Sequence, residues 1–554
     1  MAEKAIELQE THENHVNHRN VKPETIEKAE EHTSIGLPHS QGEELLSTKK
    51  TFLKSKFQEL SAAFLTLKAA PRELWLVYVL KTLESYAYFS QSYILVIYLS
   101  EEFGYGDAEA AWIYGLTGFI TSAIGVCIGF VIDNLGVRLS LVLGSACTLI
   151  SRFVIAVSHS RWLVVGMLLT LLPFGSALGI PVMSTGIRRY TNSSNRAFGF
   201  SLFYVVMNVA ALVAGFAVDL FRYSVGIPDA QAGAAGPGGT GAEPVKQNLG
   251  AYRILLLTGA FANLIGLLVG YFSVREISVD ETGEASQFEV RRGTPWAIAK
   301  EILWSGRFWR FILFILLLIG VRFVFRHLDI TLPKYLLREV SPNAPYGTII
   351  AINPFLIIIL VPIVSALYHT RVTAFESILV GSLVSSLSVF WMIIGPYYWN
   401  TILFVIFLSF GEAMWSPRLY EYTTTIAPEG REGTYAALST APMFAATLAV
   451  GGVSGWLLEG MCPNEGTRHC NLMWLVIALM TISSPVLMYL LRNVIQKDLS
   501  HKYPTSEGEA TNGGPLRVSP SKDRLLYAQL KDTEDEWDQD QDDNDDASIP
   551  PARR

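Results

Sequence analysis

The sequence predicts an all-α membrane protein of twelve transmembrane helices arranged as two six-helix bundles, and three observations predict it. Half of the residues are hydrophobic while only 17% are charged, and the mean hydropathy is positive in spite of polar stretches at both ends. Runs of mainly apolar residues recur at the length of roughly 20 needed to cross about 30 Å of hydrocarbon. These runs are continuously apolar instead of alternating over about ten residues, which predicts helices and excludes a barrel.

In chain order the runs begin near Leu74, Ala111, Arg138, Trp162, Ala197 and Ala251, and then near Arg307, Gly347, Thr373, Thr401, Thr434 and Asn471. Positive connections stay cytoplasmic. Lys49, Lys50, Lys54, Lys56, Lys68 and Arg72 precede span 1, and alternate connections carry Arg138, then Arg188, Arg189 and Arg196, then Arg291 and Arg292, then Arg371. The opposite connections are acidic or neutral: Glu101, Glu102, Asp107 and Glu109 follow span 1, and a Gly/Ala-rich loop from Ile227 to Leu249 follows span 5. Both termini are therefore predicted to be cytoplasmic. The predicted domains are a disordered N-terminal tail (1–70), a first bundle (71–273), a cytoplasmic linker (274–306), a second bundle (307–493) and a disordered acidic C-terminal tail (494–554). Within the linker, TPWAIAKEILW reads as a short amphipathic helix at the membrane interface.

Between spans 2 and 3, Gly129, Asp133, Gly136 and Arg138 in GFVIDNLGVR resemble the signature of the major facilitator superfamily. The glycines permit close approach and a tight turn, and Asp133 and Arg138 can pair at a cytoplasmic gate. The resemblance implies two bundles that enclose a site near the midplane and rock around it.

Three further segments, in order, resemble the proton-coupled oligopeptide transporters within that superfamily: SLFYVVMNVAALVAG (Ser201 to Gly215), INPFLIIILVP (Ile352 to Pro362) and GEAMWSPRLYEYTTTIAPEGREGTY (Gly411 to Tyr435). That likeness implies that Glu412 receives a peptide's amino terminus and that Asn208 and Asn353 are polar substrate contacts. Span 1 departs from the family pattern. In KTLESYAYFSQS only Glu84 and Tyr88 keep it; Lys81 replaces a glutamate, Ser85 an arginine, and Ser92 stands where an arginine for the substrate carboxylate is expected. Ile180 likewise precedes Pro181 where the family often has lysine.

The residues alone converge on the same region. Glu412 lies about halfway along an apolar run, where a charge costs roughly 2.5–3.5 kcal/mol, so it is predicted to face a watery cavity and to bind substrate, move a proton, or both. At 100° per residue, Lys81, Glu84, Ser85, Tyr88, Gln91 and Ser92 share one stripe of span 1. Lys81 and Glu84 are placed to pair across one turn. On span 7, Arg322, Arg326 and Asp329 share a face. Arg322 is the candidate to replace the missing anion-binding arginine; the bland alternative for both arginines, snorkelling to the outer headgroups, suits Arg326 better than Arg322. Predicted substrate contacts are thus Glu412, Asn208, Asn353, Tyr88 and Arg322, and predicted proton-coupling groups are Glu412, Glu84 and Lys81. The bland alternatives are interhelical glue for Asn208 and a structural ion pair for Lys81 with Glu84.

The expected function is secondary active transport of a small organic solute, in the range of a short peptide, by alternating access with proton symport. Two alternatives share the fold: a proton-independent facilitator and a transport-inactive receptor. An enzyme is not expected, for the sequence has no P-loop, no zinc-ligand spacing and no G-x-S-x-G. No cofactor or metal is predicted, the proton being the coupling ion. Cys462 and Cys470 bracket the short loop between spans 11 and 12, where an oxidising compartment would join them; the alternative is two free thiols. The net charge of −7 resides largely in the tails and says nothing about the substrate or about nucleic acid; no nucleic acid is expected as a partner. Expected partners are the solute, the lipid bilayer and cytoplasmic proteins that read the tails. The plasma membrane and an endosomal, lysosomal or vacuolar membrane both suit this topology.

Overall fold

A computed structural model describes residues 70–191, 196–225, 250–279, 285–287, 306–368, 373–426 and 432–495. The tails, the predicted interfacial helix of the linker and the Gly/Ala-rich loop lie outside the described residues. Helices account for all spans. Span 1 is α1 (Arg72–Ser92) continued by α2 (Leu95–Phe103), and spans 2 and 3 form α3 (Asp107–Val157). Span 4 is α4 (Arg161–Leu169) with α5 (Leu171–Tyr190), span 5 is α6 (Arg196–Val225) and span 6 is α7 (Ala251–Ser273). Span 7 comprises α8 (Gly306–Leu317) and α9 (Ile319–Tyr335), extended by a π-helical turn, Leu336–Val340. Spans 8 to 12 are α10 (Tyr346–Tyr368), α11 (Ala374–Ser388), α12 (Tyr398–Ile426), α13 (Glu432–Met461) and α14 (Cys470–Leu490), with a final turn α15 (Arg492–Ile495).

Local chemistry sets these boundaries. Pro71 precedes α1, where its missing N–H costs nothing. Gly136 adopts φ 79° and turns α3 back on itself between spans 2 and 3, a conformation that an L side chain resists. The carboxylate of Glu276 accepts the amides of Val137 (2.8 Å) and Arg138 (2.9 Å) there, capping the first turn of span 3 with a negative charge. Glu276 begins the linker, whose described part is an antiparallel pair of strands, β1 (Ile277–Val279) and β2 (Ala285–Gln287). These strands were not predicted. They follow from β-branched and small residues at Ile277, Val279 and Ala285, anchored beside the Gly136 turn. Thr373 and Glu376 form a capping box at the start of α11.

The helix ends that carry Arg72 and Ile495 define a near side, and the opposite ends a far side. On the far side the two bundles share one apolar core that runs from Ile94–Leu99 and Ala110, Ala111, Ile113 and Tyr114 through Val218 to Leu332, Tyr346, Leu457 and Trp474. A second core, Leu74 to Leu80 with Val137, Leu178 and Ile187, belongs to the near half of the first bundle. Span 2 packs on span 11 and span 5 on span 8. Gly215 and Gly347 let spans 5 and 8 touch: a Cβ on Gly215 would stand 2.7 Å from the Gly347 carbonyl and the Ala351 methyl. Large apolar side chains such as Phe216, Phe272, Trp456 and Leu490 are exposed on the outer faces, which is the surface that lipid covers.

Candidate functional site

Two polar groups of residues bridge the bundles at mid-depth. In the first, Glu412 of span 10 accepts hydrogen bonds from Asn353 Nδ2 of span 8 (2.8 Å) and from the Tyr204 hydroxyl of span 5 (3.3 Å). Asn353 also donates to Ser409 (3.1 Å), and the charge of Arg322 acts on Glu412. Arg322 itself lies over the Trp415 ring, 5.1 Å from its centre. Asn208, one turn above Tyr204, donates to the Tyr204 carbonyl of its own helix (2.9 Å). Asn208 thus makes no hydrogen bond to Glu412 among the described residues; the span 5 partner of Glu412 is Tyr204, which sits in the Phe-Tyr pair of that span and carried no expectation.

The second group joins spans 1, 2 and 7. Arg326 Nη1 lies 3.3 Å from the hydroxyls of Tyr88 and Tyr114 and from Asp329 Oδ2. Tyr114 donates to the same carboxylate oxygen (3.0 Å), and Ser92 contacts Tyr114 (2.7 Å). The alternative of snorkelling to headgroups does not describe Arg326, which is held across the bundle interface because Asp329 one turn away and two phenols supply partners. Tyr114 carries no sequence signal that would have found it.

The stripe on span 1 does not face a single chamber. Glu84 pairs with Arg152 of span 3 (3.5 Å), and Arg152 Nε donates to Gln91 (3.2 Å). Lys81 forms no ion pair with Glu84 among the described residues and instead points its ammonium at the Phe203 ring, 4.7 Å from the centre. The expected Lys81–Glu84 pair is thus replaced by one inside the first bundle. An arginine that is 2% exposed requires a carboxylate, and a lysine can settle for an aromatic face. Glu84 and Asn263 also line a small cavity among spans 1, 3, 4 and 6.

The far side is closed by charge. Asp107, at the start of span 2, accepts from both nitrogens of the Arg338 fork (2.7 and 2.8 Å) and from Lys334, all of span 7. Burial alone would raise the carboxyl of Asp107, but the Arg338 bonds and the two positive charges prevail and hold it below its ordinary value. Glu459 of span 11 accepts the Ala108 amide (2.9 Å). Asp219 of span 5 caps span 8 at the amides of Gly347 and Thr348, while Arg222 donates to the Ala344 carbonyl (2.8 Å). Cys462 and Cys470 are joined in a disulfide, with Cα atoms 4.9 Å apart, and the Cys462 carbonyl accepts from Arg338 (2.7 Å). On the near side Arg138 donates to the Tyr271 carbonyl (2.7 Å) and lies over that ring. The side chains of Gly129, Asp133, Ile180 and Pro181 lie outside the described residues.

A twelve-helix chain built as two bundles, with polar groups meeting at mid-depth between them, defines a membrane transporter. A model described as Major Facilitator Superfamily matches residues 77–452, and the chain belongs to that superfamily. It is a secondary transporter of the multi-pass type and not an enzyme. The chain is similar to an uncharacterized MFS-type transporter, YttB, of Bacillus subtilis (strain 168), with 24% identity over 401 residues that cover 71% of this chain and 88% of that protein. Among solved structures it is similar to a POT family transporter in complex with 5-aminolevulinic acid, at 14% identity and a TM-score of 0.61, covering 78% of this chain and 99% of that one. A peptide transporter POT in complex with sulfate is also similar, at 17% identity and a TM-score of 0.59, covering 77% and 95%. At such identities these structures establish the fold alone.

Proposed function

We propose that the protein carries a small organic solute bearing a cationic amine, in the size range of a short peptide, together with a proton. The observation that carries this reading is that Glu412 takes hydrogen bonds from both bundles, Asn353 in one and Tyr204 in the other. Rocking of bundle 71–273 against bundle 307–493 must change at least one of those bonds. The free energy of protonating Glu412 then differs between the two states, and that difference is what couples a proton to a conformational change. An amine entering the site would compete with the proton for the same oxygens.

Glu84 is the weaker coupling candidate. Its partner Arg152, which also donates to Gln91, belongs to its own bundle and travels with it, so rocking leaves the pair intact; Lys81 sits against Phe203 of the same bundle. Asn353 positions Glu412, Tyr88 and Arg322 offer contacts to the solute, and Asn208, one turn from Tyr204, is a further polar contact that the solute could draw from its helix backbone. The turn at Gly136, with Arg138 held by Tyr271, serves as the near-side gate motif, with both termini cytoplasmic. The proton would enter from the acidic side of the plasma membrane or of an acidic organelle.

The test is uptake of a panel of amines, amino acids and short peptides into proteoliposomes, with and without an imposed pH gradient. Glu412→Gln is expected to abolish pH-driven accumulation while the protein remains folded; unchanged concentrative uptake by that variant removes Glu412 from coupling. A second reading, a proton-independent facilitator, draws support from the locked Glu84–Arg152 pair. Counterflow by the wild type that ignores the pH gradient would favour it, and binding without flux would favour a receptor.

A further inference from the structure

The short loop between spans 11 and 12 reaches back onto the far-side cluster. Its ends are tied by the Cys462–Cys470 disulfide, and it meets Arg338 at two separate points. The Cys462 carbonyl accepts from Arg338 Nη1 (2.7 Å), the same nitrogen that donates to Asp107 Oδ2 (2.7 Å). Arg468, inside the loop, donates to the main-chain carbonyl of Arg338 (2.6 Å) and pairs with the neighbouring Glu339 (3.1 Å). Arg468 is in turn held by its own loop, through the Pro463 and Asn464 carbonyls (3.0 and 2.6 Å). The loop therefore grips Arg338 at its head and at its backbone.

All of these groups belong to the second bundle, whereas Asp107 belongs to the first. The disulfide does not cross between bundles, but it sets the aim of the arginine that does. A guanidinium makes two parallel bonds only when its plane matches that of the carboxylate, so a small turn of Arg338 costs the gate a bond. Arg338 also lies in the π-helical turn Leu336–Val340, a departure from regular helix that is frequent at functional sites. With its ends joined, a loop this short has few conformations; with them parted it has many. Both sulfurs are buried, and a Glu339 carboxylate oxygen lies within 4.8 Å of them. While the loop is clamped, an approaching thiolate thus meets cover and negative charge.

We propose that the loop closed by Cys462 and Cys470 is a redox-sensitive clamp on the far-side gate: joined, it aims Arg338 at Asp107 and favours the closed state, and parted, it frees Arg338 and lets the far side open. The reagent that parts it is a small-molecule thiol. A thiolate attacks one sulfur, the Cys462–Cys470 bond breaks and a mixed disulfide forms; a second thiolate then displaces the cysteine. Two protein thiols result, having gained two electrons and two protons, and two reagent thiols leave as one disulfide. Because one nitrogen of Arg338 serves both Asp107 and the loop, the linkage runs both ways, and a loosened gate exposes the sulfurs more often.

The experiment uses the full-length protein with Cys127 and Cys147 replaced by serine and with thioether-linked spin labels, which thiols do not remove, at His159 and Asn343, exposed on the far side of the two bundles. Dithiothreitol should lengthen the inter-label distance and raise the open fraction roughly tenfold, the worth of a weakened charged hydrogen bond. Cys462→Ser/Cys470→Ser should begin at the longer distance and ignore the reagent; should that variant fold poorly, the parent protein reduced after folding gives the same reading. Arg468→Gln, with the disulfide intact, should produce a smaller shift that Arg468→Lys partly reverses. In an Asp107→Asn background none of these changes should add to the distance, whereas a loop that merely ties spans 11 and 12 together would add its own effect. Alkylation and mass measurement should show the pair reduced faster in Asp107→Asn than in the parent. The proposal is overturned if the distance is unchanged with both thiols free, if the shifts persist in full in the Asp107→Asn background, if that background does not speed reduction, or if millimolar thiol leaves the pair joined in the folded protein.

Discussion

Replacing Asp107 with asparagine should open the far side. The carboxylate is 10% exposed and bound by Lys334 and by a two-pronged Arg338. It joins span 2 to span 7 and hence one bundle to the other. In the far-open state these groups would separate into water, so the relevant quantity is the net worth of the paired state. Hydrogen bonds to charged groups contribute about 1.5–3 kcal/mol each over water. Arg338 retains the Cys462 carbonyl and Lys334 retains the Ser100 hydroxyl, so the loss should sit near the value of one such bond, about 2–3 kcal/mol. That is roughly a thirty- to 150-fold shift toward the far-open state, enough to make a minor state of a few per cent dominant. Spin labels at His159 and Glu465, exposed on the far side of the two bundles, with Cys127 and Cys147 replaced by serine, would report the change as a longer inter-label distance. Unchanged distances in Asp107→Asn would refute the claim that this cluster closes the far side. The sign of its pH dependence follows from the depressed carboxyl of Asp107. A group whose value is lowered in the closed state contributes above its free value and loses that contribution as pH falls through the lowered one. In the Glu412→Gln background, where no proton binds at that position, the labels should therefore report one population from neutral pH down to pH about 5, and a shift to open only below the ordinary carboxylate range near 4.

Three other perturbations probe separate parts of the structure. Gly215→Val would drive a side chain into Gly347 and Ala351, so the same pair of labels should move apart; a distribution like that of the wild type would mean that spans 5 and 8 yield without separating. Glu276→Ala removes the cap of span 3 and the partner of Arg189, 2.9 Å away; a loss of about 1–2 kcal/mol, visible as a lower melting temperature in detergent, is expected from the cap alone, and an unchanged melt would deny it that role. Glu84→Gln leaves Arg152 buried without its carboxylate, a change of about 3–5 kcal/mol. Its folded yield should fall sharply and return in Glu84→Gln/Arg152→Gln, and equal yields for the single and double variants would show that the pair is not structural.

The spans and their grouping were legible because a membrane leaves the backbone few choices, and apolar length reports them directly. Gly136 was legible for a similar reason: a turn between two spans requires a residue free of Cβ. The partners of the charged residues were not. Helical periodicity places Lys81 and Glu84 on one stripe, but it carries no information about span 3, and Arg152 is what Glu84 meets. The same blindness hid the setting of Arg326, whose partners Tyr88 and Tyr114 come from two other helices. The linker strands escaped because three residues are too few for an alternating pattern to stand out.

The polar contacts sort by which bundle owns their partners, and that sorting constrains the transport cycle. Glu84–Arg152 and Arg253–Glu102 lie within the first bundle and Arg468–Glu339 within the second, while Arg189–Glu276 ties the first bundle to the start of the linker; rigid bodies carry the pairs inside a bundle unchanged through any rocking motion. Asp107 with Lys334 and Arg338, Asp219 with the start of span 8, and Arg222 with Ala344 all cross between bundles at the far side, so opening that side breaks every one. Only a ligand that binds the two states unequally can offset such a cost. In the proposed cycle the groups at mid-depth that also cross, Tyr204–Glu412 and Tyr88–Arg326, are where a solute and a proton would create that inequality. If occupancy of these two sites did not alter the far-side distance in the labelled protein, the cluster at Asp107 would be a fixed brace, and the alternation would have to arise from contacts elsewhere.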